Sequence, residues 1–125
     1  MEPVGIDAVE VWTGKLKLDL PETFAPQKGE DPDKYRKGIG LVGSSFPDLY
    51  EDIVTMGANA AKRLMDRKGL TPEDIGRIDV ATESAFDNSK PVSTYIAGCL
   101  EQYFDGEFRH ANKGERKFAC VAGTQ

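Results

Sequence analysis

Two stretches with apolar residues at helical spacing, separated by a short apolar strand, constrain the fold of this chain most. The first is predicted to be a helix near residues 49–68, ended by Gly69, with apolar positions Ile53, Met56, Gly57, Ala60, Ala61 and Leu64. The second begins near Pro91 and ends at Asp105-Gly106, with apolar positions Val92, Tyr95, Ile96, Cys99, Leu100 and Tyr103. Ile78 to Thr82 is predicted to be the strand between them.

Weaker patterns supply the other predicted elements. Val4 to Trp12 alternates apolar and polar residues, which predicts a first strand. Leu20 to Gly43 is rich in proline and glycine and is predicted to be a loop with short helical turns. Phe108 to Ala111 is predicted to be a further strand. Because strands and helices alternate along the chain, the sequence predicts an α/β layered fold.

The composition is that of a globular domain, or part of one, with an acidic surface. The chain has 125 residues, of which 39% are hydrophobic and 30% charged, and its net charge is −5. This charge argues against a surface for nucleic acid or an anionic membrane, since either needs a concentrated basic face. No apolar run approaches the roughly 20 residues that span a bilayer, and the N-terminus does not resemble a secretion signal. We therefore expect a cytoplasmic protein with reduced thiols.

Cys120 is the candidate nucleophile. Small neighbours, Ala119, Ala122 and Gly123, leave room for a substrate, and the segment is typical of a turn that opens a helix. Gly123 and Thr124 expose backbone donors. The N-terminus of such a helix, which is missing from this chain, would favour the thiolate, and its N–H groups could form an oxyanion hole for a thioester carbonyl. The alternative is that Cys120 is a small buried residue, which is the commoner role of an intracellular cysteine.

Glu83 is the candidate general base, because it directly follows the predicted strand ending at Thr82. A carboxylate in a partly desolvated cavity can both take and return a proton. A solvated surface carboxylate is the alternative role. Asp87 and Lys90 could orient Glu83, or could pair with each other at the start of the following helix.

The remaining chemically active side chains are predicted to be structural. Cys99 lies on the second apolar stripe and is predicted to pack in the core. His110 has no partner at metal-ligand spacing, so no metal site is expected and a surface or strand-edge position is favoured. The basic run at Lys34, Arg36 and Lys37 is more typical of a solvated face than of a phosphate site.

Four motifs together resemble the 3-hydroxy-3-methylglutaryl-CoA synthase family, in particular its archaeal members. They are DPDKYRKGIG at 31–40, DIVTMG at 52–57, ATES at 81–84 followed by DNSK at 87–90, and ACVAGT at 119–124. The resemblance covers nearly the whole chain with the motifs in the family's order. It implies a thiolase-like fold and the condensation of acetyl-CoA with acetoacetyl-CoA and water, which gives the six-carbon CoA ester for the mevalonate pathway.

The resemblance also implies roles for four residues. Cys120 matches the cysteine that accepts the acetyl group, and Glu83 matches the general acid/base that deprotonates the acetyl methyl. Asp31 and Pro32 match positions near the CoA portion of the substrate. CoA thioesters are substrates, so no cofactor is expected. The family's catalytic histidine comes from further along the chain, and His110 does not occupy its position.

The resemblance further implies partners and an incomplete domain. A complete family member is expected to be a homodimer, and the archaeal type is associated with an acetoacetyl-CoA thiolase and a small zinc-containing bridging protein. Residues 1–125 correspond to part of the N-terminal thiolase-like half and stop just after the nucleophile. We therefore expect the 125-residue chain alone to expose apolar surface and to lack synthase turnover.

Two alternatives stay open at the level of sequence. The first is another thiolase-fold acyl condensing enzyme, such as a ketoacyl synthase, which uses the same type of nucleophile. Such enzymes generally work with histidines or an asparagine, so Glu83 distinguishes them from the synthase. The second is a non-catalytic truncated fragment or binding module that only packs against another chain.

Overall fold

The computed structural model describes residues 4–85, 87–105 and 121–124, which form two compact units. One unit is Thr13–Glu51, and the other combines Met1–Trp12 with Asp52–Gln125. We call them the small unit and the large unit. The helices and strands in chain order are β1 (Leu16–Asp19), α1 (Ala25–Lys28), β2 (Gly43–Phe46), α2 (Ile53–Lys68), β3 (Ile78–Ala81), α3 (Val92–Asp105) and β4 (Val121–Thr124).

The small unit is a two-stranded sheet joined by helical turns. β1 pairs antiparallel with β2, with Leu16 opposite Phe46 and Asp19 opposite Gly43. Between these strands lie two π-helical turns, Leu20–Phe24 and Lys34–Ile39, on either side of α1. The short helical turns predicted for 20–43 are therefore confirmed. The two strands were not predicted, since each has only four residues and weak alternation.

The large unit packs α2 against α3 and carries a pair of parallel strands. Its core consists of Val54, Ala58, Met65, Val92, Ile96, Ala97 and Leu100. A Cβ atom added at Gly57 would lie 2.6 Å from Cδ1 of Ile96, so glycine permits the close approach of the two helices. β3 pairs with β4, and Ala81 lies opposite Thr124. The two helices and the strand β3 were predicted from the sequence, and the mixed α/β class is confirmed.

The predicted strand Val4 to Trp12 is wrong, because residues 4–12 contain no strand. The alternation is present, but a strand also needs a neighbour for its backbone hydrogen bonds. Val4 and Ile6 are 100% and 87% exposed, so no apolar face of the segment is buried at this end. The segment is instead held by side chains of α2, since Arg67 donates to the Val9 carbonyl at 2.8 Å and pairs with Glu10 at 3.2 Å.

The predicted helix 49–68 begins four positions later than expected, at Ile53. Residues 48–51 form a turn in which the Glu51 N–H donates to the Asp48 carbonyl at 2.9 Å. The helix then starts at a capping box. The Asp52 carboxylate accepts from the Thr55 N–H at 2.7 Å, and the Thr55 hydroxyl accepts from the Asp52 N–H at 2.8 Å. A reciprocal cap of this kind satisfies backbone donors that have no partner inside the helix.

For both helices, the predicted apolar face differs in part from the face that is buried in the structure. In α3 the buried residues are Val92, Ser93, Ile96, Ala97 and Leu100, whereas Tyr103 is half exposed and Cys99 exposed. The prediction of Cys99 as a core residue is therefore wrong. The buried face of α3 includes the small side chains of Ser93 and Ala97, which let another element approach closely. Cys99 therefore lies outside this buried face.

The cap of α2 gives a pH-dependent prediction. Hydrogen bonds from the Thr55 backbone and side chain hold the pKa of Asp52 below its ordinary value. A lowered pKa in the helix means that the cap stabilises above the ordinary pKa of 3.8 and is lost as the pH falls through the lowered value. In a peptide of residues 48–70, Asp52→Ala is expected to reduce helix stability by about 1 kcal/mol at pH 7.

Circular dichroism against pH checks this prediction. The difference between the native peptide and the Asp52→Ala peptide should close in acid as the cap is protonated. Asp52→Asn is the matched control, because its amide oxygen can still accept the Thr55 N–H and does not titrate. A difference that stays constant down to pH 2 would show that the carboxylate does not act as the cap.

In the ranges that the structure describes, no helix is both long and apolar enough to cross a bilayer.

Candidate active site

The loop between β3 and α3 carries Glu83. Glu83 follows the end of β3, as predicted, and it is exposed in the described residues, which is the state expected of a solvated surface carboxylate. The loop turns at once, because the Ser84 N–H donates to the Thr82 hydroxyl at 3.0 Å. Ala85 is partly buried and packs against the core of the large unit. Glu83 therefore lies on a loop that is fixed on both sides of it within two residues.

Asp87 is the centre of the second half of this loop. One carboxylate oxygen, Oδ1, accepts from the Ser89 N–H at 2.7 Å and from the Lys90 N–H at 3.3 Å. The other, Oδ2, accepts from the Tyr95 hydroxyl at 2.6 Å. The Tyr95 hydroxyl is the largest cause that lowers the pKa of Asp87, and the same bond raises the pKa of Tyr95. At neutral pH the pair is thus a carboxylate and a protonated phenol.

Asp87 and Lys90 contact each other at the start of α3, which was one of the two roles considered from the sequence. The ammonium group of Lys90 lies over the ring of Tyr95, 4.1 Å from the ring centre, while its backbone N–H bonds to Asp87. Tyr95 was predicted only as an apolar residue of the helix stripe. Its link to Asp87 spans eight positions across a loop, and no periodicity in the sequence indicates it.

The candidate nucleophile Cys120 lies outside the described residues, as does His110. The next residue, Val121, opens β4, so the turn predicted for this segment is wrong for Val121–Thr124. Pairing with β3 extends the segment, and the β-branched Val121 and Thr124 favour a strand. The helix that was expected to follow lies outside the described residues, and the oxyanion hole stays a prediction.

The register between β3 and β4 bears on the predicted pairing of Glu83 with Cys120. Val121 lies opposite Ile78, at the beginning of β3. Ala81, at the other end of β3, is three positions after Ile78, which at about 3.3 Å per residue is roughly 10 Å along the strand. The loop that carries Glu83 follows this far end of β3. The pairing of Glu83 with Cys120 stays a prediction.

Asp31 and Pro32 open the second helical turn of the small unit. The exposed Asp31 carboxylate accepts from the Asp33 N–H at 2.9 Å, and its carbonyl accepts from the Lys34 N–H at 3.0 Å. Beside them, Glu30 accepts hydrogen bonds from Lys34 at 2.8 Å and from the Tyr35 hydroxyl. These two bonds, that of Lys34 first, hold the pKa of Glu30 below its ordinary value. Hydrogen bonds thus hold this turn, and the ammonium group of Lys34 is already paired.

The pairing extends to the rest of the basic run. Lys37 lies 2.6 Å from Asp33, and Arg36 contacts Glu22 and lies 3.8 Å from Asp33. These ion pairs agree with the prediction of a solvated face rather than a phosphate site. Among the residues that the structure describes, no group of three His, Cys, Asp or Glu side chains is placed to hold a metal ion.

Cys99 is the one cysteine among the described residues, and it is a free thiol. Partial burial by neighbouring protein raises its pKa, and Asp52 adds a smaller effect in the same direction. A raised pKa keeps the sulfur protonated at neutral pH, and the thiolate is the nucleophilic form. The geometry therefore gives Cys99 no advantage as a nucleophile.

Comparisons with known proteins agree with the resemblance seen in the motifs. The family profile described as hydroxymethylglutaryl-coenzyme A synthase N terminal matches residues 1–125. The hydroxymethylglutaryl-CoA synthase of Haloferax volcanii is 85% identical over 100% of this chain and 28% of its own length. That of Archaeoglobus fulgidus is 32% identical over 97% of this chain and 34% of its own length. The chain thus spans about a third or less of these curated relatives.

A solved structure supports the same assignment at the level of the fold. MvaS in complex with 3-hydroxy-3-methylglutaryl coenzyme A superposes with a TM-score of 0.79 and 32% identity, covering 97% of this chain and 26% of that one. The predicted thiolase-like fold is therefore confirmed for the part of the fold that this chain contains. The chain belongs to the hydroxymethylglutaryl-CoA synthase family.

Proposed function

We propose that this chain supplies the N-terminal part of a synthase that condenses acetyl-CoA with acetoacetyl-CoA and water. The products would be 3-hydroxy-3-methylglutaryl-CoA and free CoA, in the mevalonate route to isoprenoids. The match of the family profile to all 125 residues carries this proposal. The position of Glu83 at the end of β3 supports it, since strand ends present side chains to bound substrates.

The first step assigns Cys120 as the acyl acceptor. Its thiolate attacks the carbonyl carbon of acetyl-CoA, a new carbon–sulfur bond forms, and the CoA thiolate leaves and takes up a proton. The acetyl group is then held on the protein as a thioester, which splits one difficult reaction into easier ones. A thioester also makes the methyl hydrogens acidic enough for a carboxylate to remove one.

The second and third steps assign Glu83 as the general acid/base. Its carboxylate takes a proton from the acetyl methyl, and the resulting carbon nucleophile attacks the ketone carbon of acetoacetyl-CoA. The alkoxide that forms takes up a proton. Water then hydrolyses the thioester to Cys120, which releases the product as a free carboxylic acid at that end and restores the thiol. A positioned acid/base of this kind contributes about 10²–10⁴-fold to a rate.

This chemistry sets a geometric requirement for the complete enzyme. Cys120 has to come within reach of the loop that carries Glu83, because both groups act on one acetyl group. In the small unit, the hydrogen-bonded turn at Asp31 and Pro32 is proposed to contact the CoA portion of a substrate. The exposed Asp31 carboxylate is suited to a polar group of the ligand rather than to a phosphate.

The proposal includes partners that the family resemblance implies. A complete protein of this type is proposed to act in the cytoplasm as a homodimer. An acetoacetyl-CoA thiolase and a small zinc-containing bridging protein are the proposed further partners. No cofactor takes part, since both CoA thioesters are consumed as substrates.

A chimera tests the proposed function. This chain replaces the matching residues of the Haloferax volcanii synthase, with which it shares 85% identity, and we call the product the Haloferax chimera. Incubated with acetyl-CoA alone and quenched in acid, it is expected to carry one acetyl group on Cys120, detected by peptide mass spectrometry. Addition of acetoacetyl-CoA should discharge the group and release hydroxymethylglutaryl-CoA.

Two cysteine variants serve as controls for this experiment. Cys120→Ala should carry no acetyl group, whereas Cys99→Ala should be labelled as fully as the unchanged chimera. An acetyl group on Cys99, or label that survives Cys120→Ala, would refute the assigned nucleophile. Condensation with a malonyl thioester and loss of CO₂, but not with acetoacetyl-CoA, would favour the ketoacyl synthase alternative. A chimera that folds but is never acetylated would favour the non-catalytic alternative.

A further inference from the structure

We propose that Tyr95 is a positioning residue of this synthase, which holds the loop carrying Glu83 through its hydrogen bond to Asp87. The inference rests on the proposed function, because it matters for catalysis only if Glu83 is the acid/base. It deepens that function by adding a residue that does not touch the substrate and was predicted only to pack.

The loop from Thr82 to Lys90 has three attachments in the described residues. The hydroxyl of Thr82 binds the Ser84 N–H at the end of β3, and Ala85 packs on the core. Asp87 makes the third attachment, a hydrogen bond from the loop to the Tyr95 side chain of α3. Removal of the Tyr95 hydroxyl would take this hydrogen bond away.

The two carboxylate oxygens of Asp87 have different hydrogen-bond partners. Oδ1 binds two backbone N–H groups of the loop, those of Ser89 and Lys90, and so shapes the turn before α3. Oδ2 binds the Tyr95 hydroxyl at 2.6 Å, which fixes the carboxylate relative to the helix. Hydrogen bonds to an ionised group are about twice as strong as neutral ones. The hydrogen bond from Tyr95 therefore fixes the position of this turn relative to α3.

Tyr95 itself is held on two sides. Its ring is partly buried against the core cluster of α2 and α3, so the helix sets its position. The ammonium group of Lys90 covers the ring at 4.1 Å, which also keeps a positive charge close to Asp87. Tyr95 thus contacts both Asp87 and Lys90, and the Lys90 backbone N–H binds Asp87, so each of the three restrains another. This is the arrangement expected of a support for a reactive group on a loop.

Placement of this loop controls the proposed chemistry because proton transfer depends on short distances. A general base has to be within about 2.6–3.2 Å of the atom from which it takes a proton. Glu83 is two positions before Ala85 and four before Asp87, so a loose Asp87 leaves the contact of Ala85 with the core as the described attachment on the helix side of Glu83. A shift of about 1 Å at a reacting group can lower a rate by as much as 10²-fold.

The test uses Tyr95→Phe in the Haloferax chimera, which removes one hydroxyl oxygen and keeps the ring. In D₂O with acetyl-CoA alone, deuterium entry into the acetyl methyl reports proton removal, and acetylation of Cys120 reports the step before it. We expect Tyr95→Phe to lower the exchange rate per acetylated cysteine about tenfold, within the range that small displacements produce. The extent of acetylation and KM for acetyl-CoA should change little.

Tyr103→Phe is the matched control on the same helix. The Tyr103 hydroxyl also faces an aspartate, Asp66, at 3.5 Å, and Lys62 covers its ring at 4.1 Å. Tyr103 lies far along α3 from the loop, so its variant should exchange as fast as the unchanged chimera. Asp87→Ala combined with Tyr95→Phe should be no slower than Asp87→Ala alone, because Tyr95 acts through Asp87.

A second measurement does not depend on catalysis. Hydrogen exchange of the backbone N–H groups of Ser89 and Lys90, which bind Asp87, should be faster in Tyr95→Phe and unchanged in Tyr103→Phe. Unchanged protection at these two residues would overturn the inference while leaving the proposed function intact. So would a loss of acetylation and methyl exchange in equal proportion, since that marks a purely structural effect. A folded chimera without methyl exchange before any substitution would overturn both the proposed function and the inference.

Discussion

Glu83→Gln in the Haloferax chimera is expected to lower the rate of condensation by about 10²–10⁴-fold, the usual contribution of a positioned general base. The amide is close in shape to the carboxylate but cannot take a proton from the acetyl methyl. Acetylation of Cys120 should survive, because that step uses the sulfur and not Glu83. The acetylated protein should therefore accumulate in this variant, and quenched samples analysed by mass spectrometry would show it.

Glu73→Gln is the control for the change of charge. Glu73 is also an exposed carboxylate of the large unit, on the turn Pro72–Asp74, and the proposed mechanism gives it no part. If Glu83→Gln condenses as fast as Glu73→Gln, the acid/base role belongs to another residue. Retained condensation would also remove the feature that distinguishes this chain from ketoacyl synthases.

The elements that local pattern determines were predicted from the sequence. α2, α3 and β3 have apolar residues at the proper period, and their ends coincide with Gly69, the turn before Val92 and the polar loop at Glu83. Val4 to Trp12 has an equally clear period of two but no strand. The difference is that a helix satisfies its own backbone, whereas a strand depends on a partner that the sequence pattern does not specify.

The faces of the helices show a second limit of sequence patterns. Hydrophobicity places Tyr95 and Cys99 on the stripe, yet the buried arc of α3 takes in Ser93 and Ala97 instead. Packing density favours small side chains where two helices meet, and a scale of hydrophobicity gives these residues little weight. The same effect applies at Gly57, which has no side chain and so leaves room for Ile96.

The candidate site was predictable only in part. The place of Glu83 follows from the end of β3, because a polar residue directly after an apolar strand can be recognised in the sequence. The bond between Asp87 and Tyr95 depends on how the loop returns to α3, which involves packing rather than spacing. The register of β4 depends on a pairing between distant parts of the chain.

Leu100→Ala is expected to be the most damaging substitution for the fold of the large unit. Leu100 is 2% exposed and lies in the core that α2 and α3 share, and it is among the largest fully buried side chains of the described residues. Removal of a buried leucine side chain costs about 2–5 kcal/mol, since apolar contacts are lost and a cavity remains. In the Haloferax chimera this should appear as a lower midpoint of thermal unfolding.

Ser93→Ala on the same helix is the control. It also changes a buried position of α3, but it removes far less packing than Leu100→Ala. The Ser93 side chain is 0% exposed, and its hydroxyl has no hydrogen-bond partner among the residues that the structure describes. Ser93→Ala therefore removes one oxygen atom and no hydrogen bond among the described residues. The midpoint of thermal unfolding should stay near that of the unchanged chimera. Equal losses for the two variants would mean that Leu100 is not the centre of the core, and that the contact between α2 and α3 is maintained by other residues.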